Sequence, residues 1–259
     1  MLLLKITYIG GPTALLDFGG VRLLTDPTFD PAGEVYEPAP SYRLEKIDGP
    51  AMSAEQLGPV DVVLLSHDHH FDNLDRAGRE MLDSAEAVLT THAGAERLGK
   101  RARGLAPWES VDLVVSERRM LRIIGTPARH GPEDGDRGPV TGFILYFTDD
   151  PEAVVYVSGD TVWFDGVAEV SKRYPVKAAV LFMGAAKVSV AGPAHVTFTA
   201  SEGAVAAHAF KDAAIIPLHF EGWKHFTESR AEIEHAFTEA GMQDRLVWPV
   251  AGETVSVPV

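Results

Sequence analysis

Short apolar or alternating segments, separated by glycine and proline, fill the first quarter of the chain. The segments LLLKITYI, TALLDF and VRLLTDP have the length and alternation of β-strands joined by tight turns. Farther along, apolar segments such as VDVVLLS, GFILYFT and AAIIPLH alternate with stretches of helical character near 74–84, 164–173, 200–210 and 228–240. Strands with helices interspersed through the whole chain predict an α/β layered architecture.

Local signals sharpen some boundaries and leave one long gap. Thr199 and Glu202 have the spacing of a capping box, and Gly241 suits the left-handed end of the last helix. Two short strands are expected after that helix. The polar, proline-rich segment 27–59 is predicted to be an irregular loop that lies over or beside a site. Since no fixed-period repeat or clear linker is found, residues 1–259 are expected to form one domain.

Composition and charge narrow the classes of function. The formal net charge of −14 opposes attraction to nucleic acid or to anionic membranes. No apolar run approaches the ~18 to 20 residues of a membrane span, and the N-terminus lacks the pattern of a signal peptide, so a cytoplasmic protein is expected. The absence of cysteine excludes disulfides, thiolate zinc sites and cysteine nucleophiles. Any metal must therefore be held by His, Asp, Glu or Asn.

Several predicted strands end in residues that can bind metals. The segment VVLLS leads into His67, Asp68, His69 and His70, and later strands lead into His130, Asp160 and His219. In layered α/β folds such strand ends meet at one edge of the sheets, where ligand sites are usually built. Singly, each is better explained as an ordinary surface or turn residue. Together they predict one shared pocket.

The order of these motifs resembles the metallo-β-lactamase superfamily of metal-dependent hydrolases. The segments SHDHHFDNLD, TPARHG, SGDT and IPLHF occur in the family's order. The opening YIGGPTALLDFGGVRLLTDPTFDP is similar to the branch of ascorbate-phosphate lactonases and N-acyl-phosphatidylethanolamine phospholipases D. The resemblance implies a four-layered αββα sandwich with the site at one edge, between the two sheets.

The first motif departs from the family pattern H-x-H-x-D-H, and two registers are open. In one, His67 and His69 are the two family histidines, which leaves an extra residue before Asp72. In the other, Asp68 takes the place of the first histidine, followed by His70, Asp72 and Asn73. We favour the second register for the last three, with either Asp68 or His67 completing the set.

The resemblance then implies two groups of ligands for one or two divalent ions. One group is His70, His130, Asp160 and either His67 or Asp68, and the other is Asp72, Asp160 and His219 with help from Asn73. Asp160 is expected to bridge, and Asp72 and Asp160 are the predicted catalytic residues. An Asn in place of a His suits harder metals. We therefore expect the bound ions to be Zn²⁺ or Mn²⁺.

The function that follows is hydrolysis of a small ester, lactone or phosphodiester by a metal-activated water. The alternative is a non-catalytic relative that binds a metal or ligand, since Asn73 weakens the second position. His195 and His225 are weaker candidates for substrate contact, and His92 for lining the pocket or starting a helix. Nuclease activity is disfavoured by the acidic balance. The sequence leaves the oligomeric state open, a homo-oligomer included.

Overall fold

Two stacked β-sheets form the middle of the molecule in the computed structural model of the chain, which describes residues 2–40, 42–99, 101–117, 119–133 and 137–259. The strands are β1 (Leu3–Gly10), β2 (Thr13–Phe18), β3 (Val21–Thr25), β4 (Val35–Ala39), β5 (Tyr42–Glu45), β6 (Val62–Leu64), β7 (Ala87–Thr90), β8 (Ala102–Gly104), β9 (Ser110–Ser116), β10 (Arg119–Pro127), β11 (Thr141–Phe147), β12 (Asp150–Val157), β13 (Val176–Phe182), β14 (Ala214–Leu218) and β15 (Thr254–Pro258). One sheet has the order β15-β1-β2-β3-β6-β7-β8, the other β14-β13-β12-β11-β10-β9, and β4 and β5 form a separate hairpin.

Helices cover the outer faces of both sheets. They are α1 (Ala54–Leu57), α2 (Arg76–Met81), α3 (His92–Leu98), α4 (Asp165–Arg173), α5 (Ala200–Ala209) and α6 (Arg230–Glu239). Among the described residues, every helix is too short or too polar to serve as a membrane span. The capping box of Thr199 with Glu202 and the left-handed Gly241 (φ 68°) are both present, as predicted.

Three apolar cores hold these layers together. Residues such as Ile6, Leu16 and Ile123 fill the space between the sheets. A second core, around Val167, joins one sheet to α4, α5 and α6, and a third, around Met81, joins the other sheet to its helices. Strands buried on both faces must be apolar throughout, which explains why several of them lack a polar alternation. The predicted four-layered αββα sandwich is confirmed.

Three predictions about secondary structure were wrong. The segment 27–59 is not irregular throughout, because it contains the β4–β5 hairpin and helix α1. The short strand β8 was not expected. After α6 only β15 forms a strand among the described residues; Leu246 makes an isolated bridge to Ile215 instead of a second strand. Each of these elements involves only three to five residues, too few for a clear pattern in the sequence.

The parallel parts of the sheets direct their strand ends to one edge. Strands β3, β6 and β7 pair in parallel in one sheet, and β12, β13 and β14 do so in the other. The segment that begins at His67 follows β6, Asp160 follows β12, and His219 follows β14. His130 follows β10 and reaches the same edge. The fold therefore brings together residues separated by up to about 150 positions of sequence.

Candidate metal centre

Three imidazole nitrogens converge at this edge. Nε2 of His67 lies 2.9 Å from Nδ1 of His70, and Nε2 of His130 lies 3.1 Å from the same Nδ1. All three side chains are buried. A carboxylate oxygen of Asp160 lies 3.6 Å from Nε2 of His130. Three imidazole nitrogens and one carboxylate oxygen are a typical ligand set for a divalent metal.

The outer nitrogens of two of these rings are held by acceptors, and this fixes where their protons lie. Nδ1 of His130 donates to the carbonyl of Val196 at 2.7 Å. Nδ1 of His67 lies 2.8 Å from Oγ of Ser66, whose hydroxyl donates to Asp26 at 2.6 Å. Since the Ser66 proton points to Asp26, Ser66 accepts the proton of His67. Both rings then direct a lone pair from Nε2 into the cluster, as metal ligands require.

The electrostatics of the cluster favour neutral imidazoles. Burial lowers the pKa of His67 well below its usual range, and the neighbouring rings of His70 and His130 lower it further. Burial and His130 likewise lower the pKa of His70. A ligating imidazole must be neutral, so neither ring has to lose a proton at neutral pH before it can bind a cation.

A second group shares Asp160 and lies beside the first. Nε2 of His219 is 3.4 Å from Asp160 and 3.8 Å from Asp72, and Nε2 of His225 is 2.9 Å from Asp72. Burial alone would raise the pKa of Asp72, but His225 and His219 hold it well below its usual range. Burial opposes protonation of His219, yet Asp160 and Asp72 raise its pKa.

Unpartnered atoms mark where a cation would fit. Among the described residues, Oδ1 of Asp72, Oδ2 of Asp160 and both ring nitrogens of His219 are buried without a hydrogen-bond partner. Buried polar atoms are normally satisfied, and each exception calls for a missing ion, water or functional reason. Ligand atoms from Asp72, Asp160 and His219 lie within 4.8 Å of one another, as do those from His67, His130 and Asp160. The residues present fit one or two divalent ions.

The backbone at His219 is strained in order to present its ring. This residue has a φ of 56°, which is uncommon outside glycine, and its N–H donates to the carbonyl of Gly11 at 2.9 Å. Gly184 makes room, because a Cβ there would lie 2.7 Å from Cα of Phe220 and 3.0 Å from the His219 carbonyl oxygen. Strain of this kind persists only where the surroundings enforce it, and it concentrates at functional sites.

Asn73 lies between the carboxylates of Asp26 and Asp160. Its amide nitrogen donates to Asp26 at 3.0 Å and to Asp160 at 3.2 Å, while its amide oxygen is buried and unpartnered. In this orientation Asn73 positions Asp160, and its oxygen is the atom free for a cation. Its role as a ligand stays a prediction.

The predicted ligand Asp68 does not join either group. Its two oxygens bind Nε and Nη2 of Arg97 at 2.8 and 2.5 Å, directed away from the imidazoles. Nε2 of His69 donates to the carbonyl of Arg137 at 2.9 Å, yet a ring nitrogen of His69 lies within 4.8 Å of ligand atoms of His67 and His70, so these three histidines form a further possible ligand group. The prediction of Asp68 as a ligand is therefore at odds with its position, and His67 takes that place. Which of the three histidines bind a metal stays a prediction.

Of the three weaker candidates, one lies at the site and two lie outside it. His225 is buried against Asp72. His195 instead pairs with Glu202 at 3.0 Å, at the start of α5, and stands outside both groups. His92 begins α3 with 63% of its side chain exposed and faces Glu109, so it does not line the site.

Sequence reasoning assigned no role to four residues that support the site. Asp26 and Ser66 set the proton position of His67 and were visible only as the TDP segment and as the residue before the histidine. Arg137 lies over the ring of Tyr42, 5.2 Å from its centroid, with Nη2 3.4 Å from Nε2 of His70. No local pattern marks Arg137 or Tyr42, since each reaches the site from a turn or hairpin.

The family of the chain follows from a comparison with known families. The family model described as the beta-lactamase superfamily domain matches residues 21–220. This range contains every residue of both ligand groups except His225. The chain belongs to the beta-lactamase superfamily.

The sequences of several relatives align with most of this chain. UPF0173 protein YddR of Bacillus subtilis is 25% identical and covers 97% of this chain and 99% of its own. A UPF0173 metal-dependent hydrolase of Caldivirga maquilingensis is 24% identical over 79% and 83% of the two chains. The crystal structure of an isothiocyanate hydrolase from Delia radicum gut bacteria aligns with a TM-score of 0.81 at 22% identity, covering 97% and 98%. Our chain is a metal-dependent hydrolase of the metallo-β-lactamase fold.

Proposed function

We propose that this hydrolase uses one or two divalent ions to cleave a small ester, lactone or phosphodiester with water. The observation that carries the proposal is the approach of His67 and His130 to within 3.1 Å of His70, beside the unpartnered atoms of Asp160 and Asp72. A catalytic site for water needs ligand atoms that leave room for a further oxygen, and the unpartnered carboxylate oxygens supply that environment. The ester, lactone and phosphodiester classes come from the sequence resemblance.

The two ligand groups differ in chemistry. Three imidazoles with Asp160 would hold the first ion, and this nitrogen-rich set suits Zn²⁺. Asp72, Asp160 and His219, with the amide oxygen of Asn73, would hold the second. Because these are mostly oxygen ligands, the second position favours a harder ion such as Mn²⁺.

A bound divalent ion lowers the pKa of water and polarises a carbonyl or phosphoryl oxygen. The chain's own residues then have separate tasks. Asp72 stays ionised, because His225 and His219 hold its pKa low, so its free Oδ1 can bind the second ion or, with that position empty, orient the attacking water. Asp160 lies between both groups and keeps them at a fixed separation. His225, 2.9 Å from Asp72, fixes the direction of that carboxylate.

The apolar cluster beside the site suits a small molecule. Tyr36, Tyr42 and Leu44 of the β4–β5 hairpin pack with Val188 and Trp223, and Phe71 and Phe226 lie against them. The hairpin thus covers the two ligand groups with aromatic side chains, which would exclude bulk water from a bound substrate. With a net charge of −14, we expect small-molecule substrates and neither nucleic acid nor a membrane as a partner.

The test combines metal content with turnover. Protein prepared without chelators is analysed for bound metal and assayed with Zn²⁺ or Mn²⁺ against esters, lactones and phosphodiesters. An isothiocyanate is included because a similar structure bears that substrate in its name. His130→Ala and His219→Ala should each lose metal and activity, whereas the exposed control His235→Ala should keep both. Less than one equivalent of metal in the wild type, or full turnover in His219→Ala, would refute the proposal.

A further inference from the structure

The outer nitrogen of His70 has an unusual neighbour. The outer nitrogens of His67 and His130 face acceptors, a serine hydroxyl and a backbone carbonyl. Nε2 of His70 instead lies 3.4 Å from Nη2 of Arg137, which can only donate. Ligating histidines almost always give their outer N–H to a carboxylate, carbonyl or water. His70 has no such acceptor among the described residues.

Metal binding changes whether Nε2 of His70 can accept a hydrogen bond from Arg137. Because Nε2 of His67 and Nε2 of His130 carry lone pairs, the proton of His70 lies on Nδ1, which faces them both. Nε2 of His70 is then left to accept from Arg137. When Nδ1 holds a cation, a neutral imidazole must carry its proton on Nε2. Two donors then face each other across about 3.4 Å. An anionic oxygen is the group that satisfies both at once.

Arg137 is held in place to perform this task. Its backbone N–H donates to the carbonyl of His130 at 2.8 Å, and its carbonyl accepts from His69 at 2.9 Å. The half-buried guanidinium lies over the ring of Tyr42, and its Nε is buried without a hydrogen-bond partner among the described residues. A fixed guanidinium with free donors costs little side-chain entropy when an anion binds.

We propose that the substrate carries an anionic oxygen group, a carboxylate or a phosphate, which binds between the Arg137 guanidinium and Nε2–H of His70. This inference rests on the proposed metal-dependent hydrolysis and defines its substrate class. Neutral esters of the same size should be poorer substrates.

Calorimetric titration of the Zn²⁺-loaded protein with inorganic phosphate, and separately with acetate, tests the site directly. Arg137→Gln should weaken binding of the preferred anion about tenfold or more, because a charge-assisted hydrogen bond is lost. Arg137→Lys should fall between, and Arg103→Gln, which removes a cation at an exposed position, should bind as the wild type does. Elemental analysis should find equal metal in all four proteins.

Long-range ¹H–¹⁵N spectra of the histidines supply a second readout. In the Zn²⁺-loaded wild type, His70 should carry its proton on Nε2, and that resonance should shift on addition of the anion but not in Arg137→Gln. Equal anion affinity in wild type and Arg137→Gln, with full metal content, would overturn this inference and leave the hydrolytic proposal standing. A wild type that binds no metal would remove both.

Discussion

Replacing Asp26 by asparagine should weaken metal binding without touching a ligand. Asp26 is buried, and its Oδ1 accepts the backbone N–H of Ser66 at 2.6 Å. Its Oδ2 accepts the Ser66 hydroxyl at 2.6 Å and the amide of Asn73 at 3.0 Å. An asparagine amide in place of Oδ2 would donate to Ser66. The hydroxyl would then turn to donate to Nδ1 of His67, which moves the His67 proton to the nitrogen that faces the metal.

The size of the effect follows from these contacts. Loss of a partner that orients a ligating histidine typically weakens metal affinity by about 10- to 100-fold, or about 1.4 to 2.7 kcal/mol. The amide of Asn73 also loses its acceptor, which should lower the free energy of unfolding by about 1 to 3 kcal/mol.

The same substitution should change how the stability of the metal-free protein depends on pH. Burial raises the pKa of Asp26 from 3.8 to about 7, against the hydrogen bonds from Ser66 and Asn73. The folded state then binds this proton more tightly than the unfolded state, so the contribution of Asp26 to stability falls as the pH rises from about 4 to about 7. Asp26→Asn should remove this part of the slope.

Competition with a chromophoric chelator for Zn²⁺ at constant pH measures the affinity, and urea denaturation measures the stability. Asp30→Asn is the matched control, because Asp30 is also a buried carboxylate but accepts from Tyr36 and Ala77. A Zn²⁺ affinity of Asp26→Asn within about threefold of the wild type would refute the proton-position argument, since that argument requires at least tenfold.

Three further substitutions test other parts of the structure. Lys46→Met leaves the buried Asp75, 2.8 Å away, without its cation and should cost about 3 kcal/mol of unfolding free energy in urea; under about 1 kcal/mol would contradict it. Asp68→Asn should keep the metal stoichiometry of the wild type by elemental analysis, because its carboxylate faces away from the ligands, and a lost equivalent would restore it as a ligand. The hydrogen bond to Glu202 raises the pKa of His195, so its contribution is present below the unfolded value and lost as the pH rises through the folded value. His195→Gln should therefore lower Tm more at about pH 5.5 than at about pH 8.5, and an equal loss at both would count against this ion pair.

The layered fold and the edge that carries the site could be predicted because both depend on local patterns. An apolar strand that ends in a polar residue is visible in the sequence at His130, Asp160 and His219. Parallel pairing of β12, β13 and β14 then places Asp160 and His219 at one edge, and β10, which is antiparallel to β11, runs in the same direction as β12 and ends there too. The position of these residues therefore follows from strand assignment alone, without any knowledge of their side-chain contacts.

The choice among the residues after Ser66 could not be predicted, because distant side chains decide it. Arg97, from α3, binds both oxygens of Asp68 and directs that residue away from the imidazoles. The carbonyl of Arg137 accepts from Nε2 of His69 and so fixes the orientation of that ring. Neither partner lies within the segment, so spacing alone leaves both registers open.

The hairpin over the site was missed for a similar reason. Prolines at positions 38 and 40 weaken the strand pattern of β4, since proline cannot donate to a ladder. What stabilises the hairpin is tertiary: Tyr36 donates to Asp30 at 2.5 Å, and the backbone of Lys46 bridges to Trp223. A two-stranded hairpin is marginal alone, and these contacts supply the rest.

Both ends of the segment that carries the first motif are fixed by buried carboxylates. Asp26 binds the backbone of Ser66 at the start, and Asp75 caps α2 at the end by accepting from Gly78. With the ends fixed, an added residue must bulge between them, in the part of the segment that contains Asp68 and His69. Gly138 makes room for that bulge, since a Cβ there would lie 3.1 Å from Nε2 of His69. The predicted ligands His67 and His70 lie on either side of this bulge.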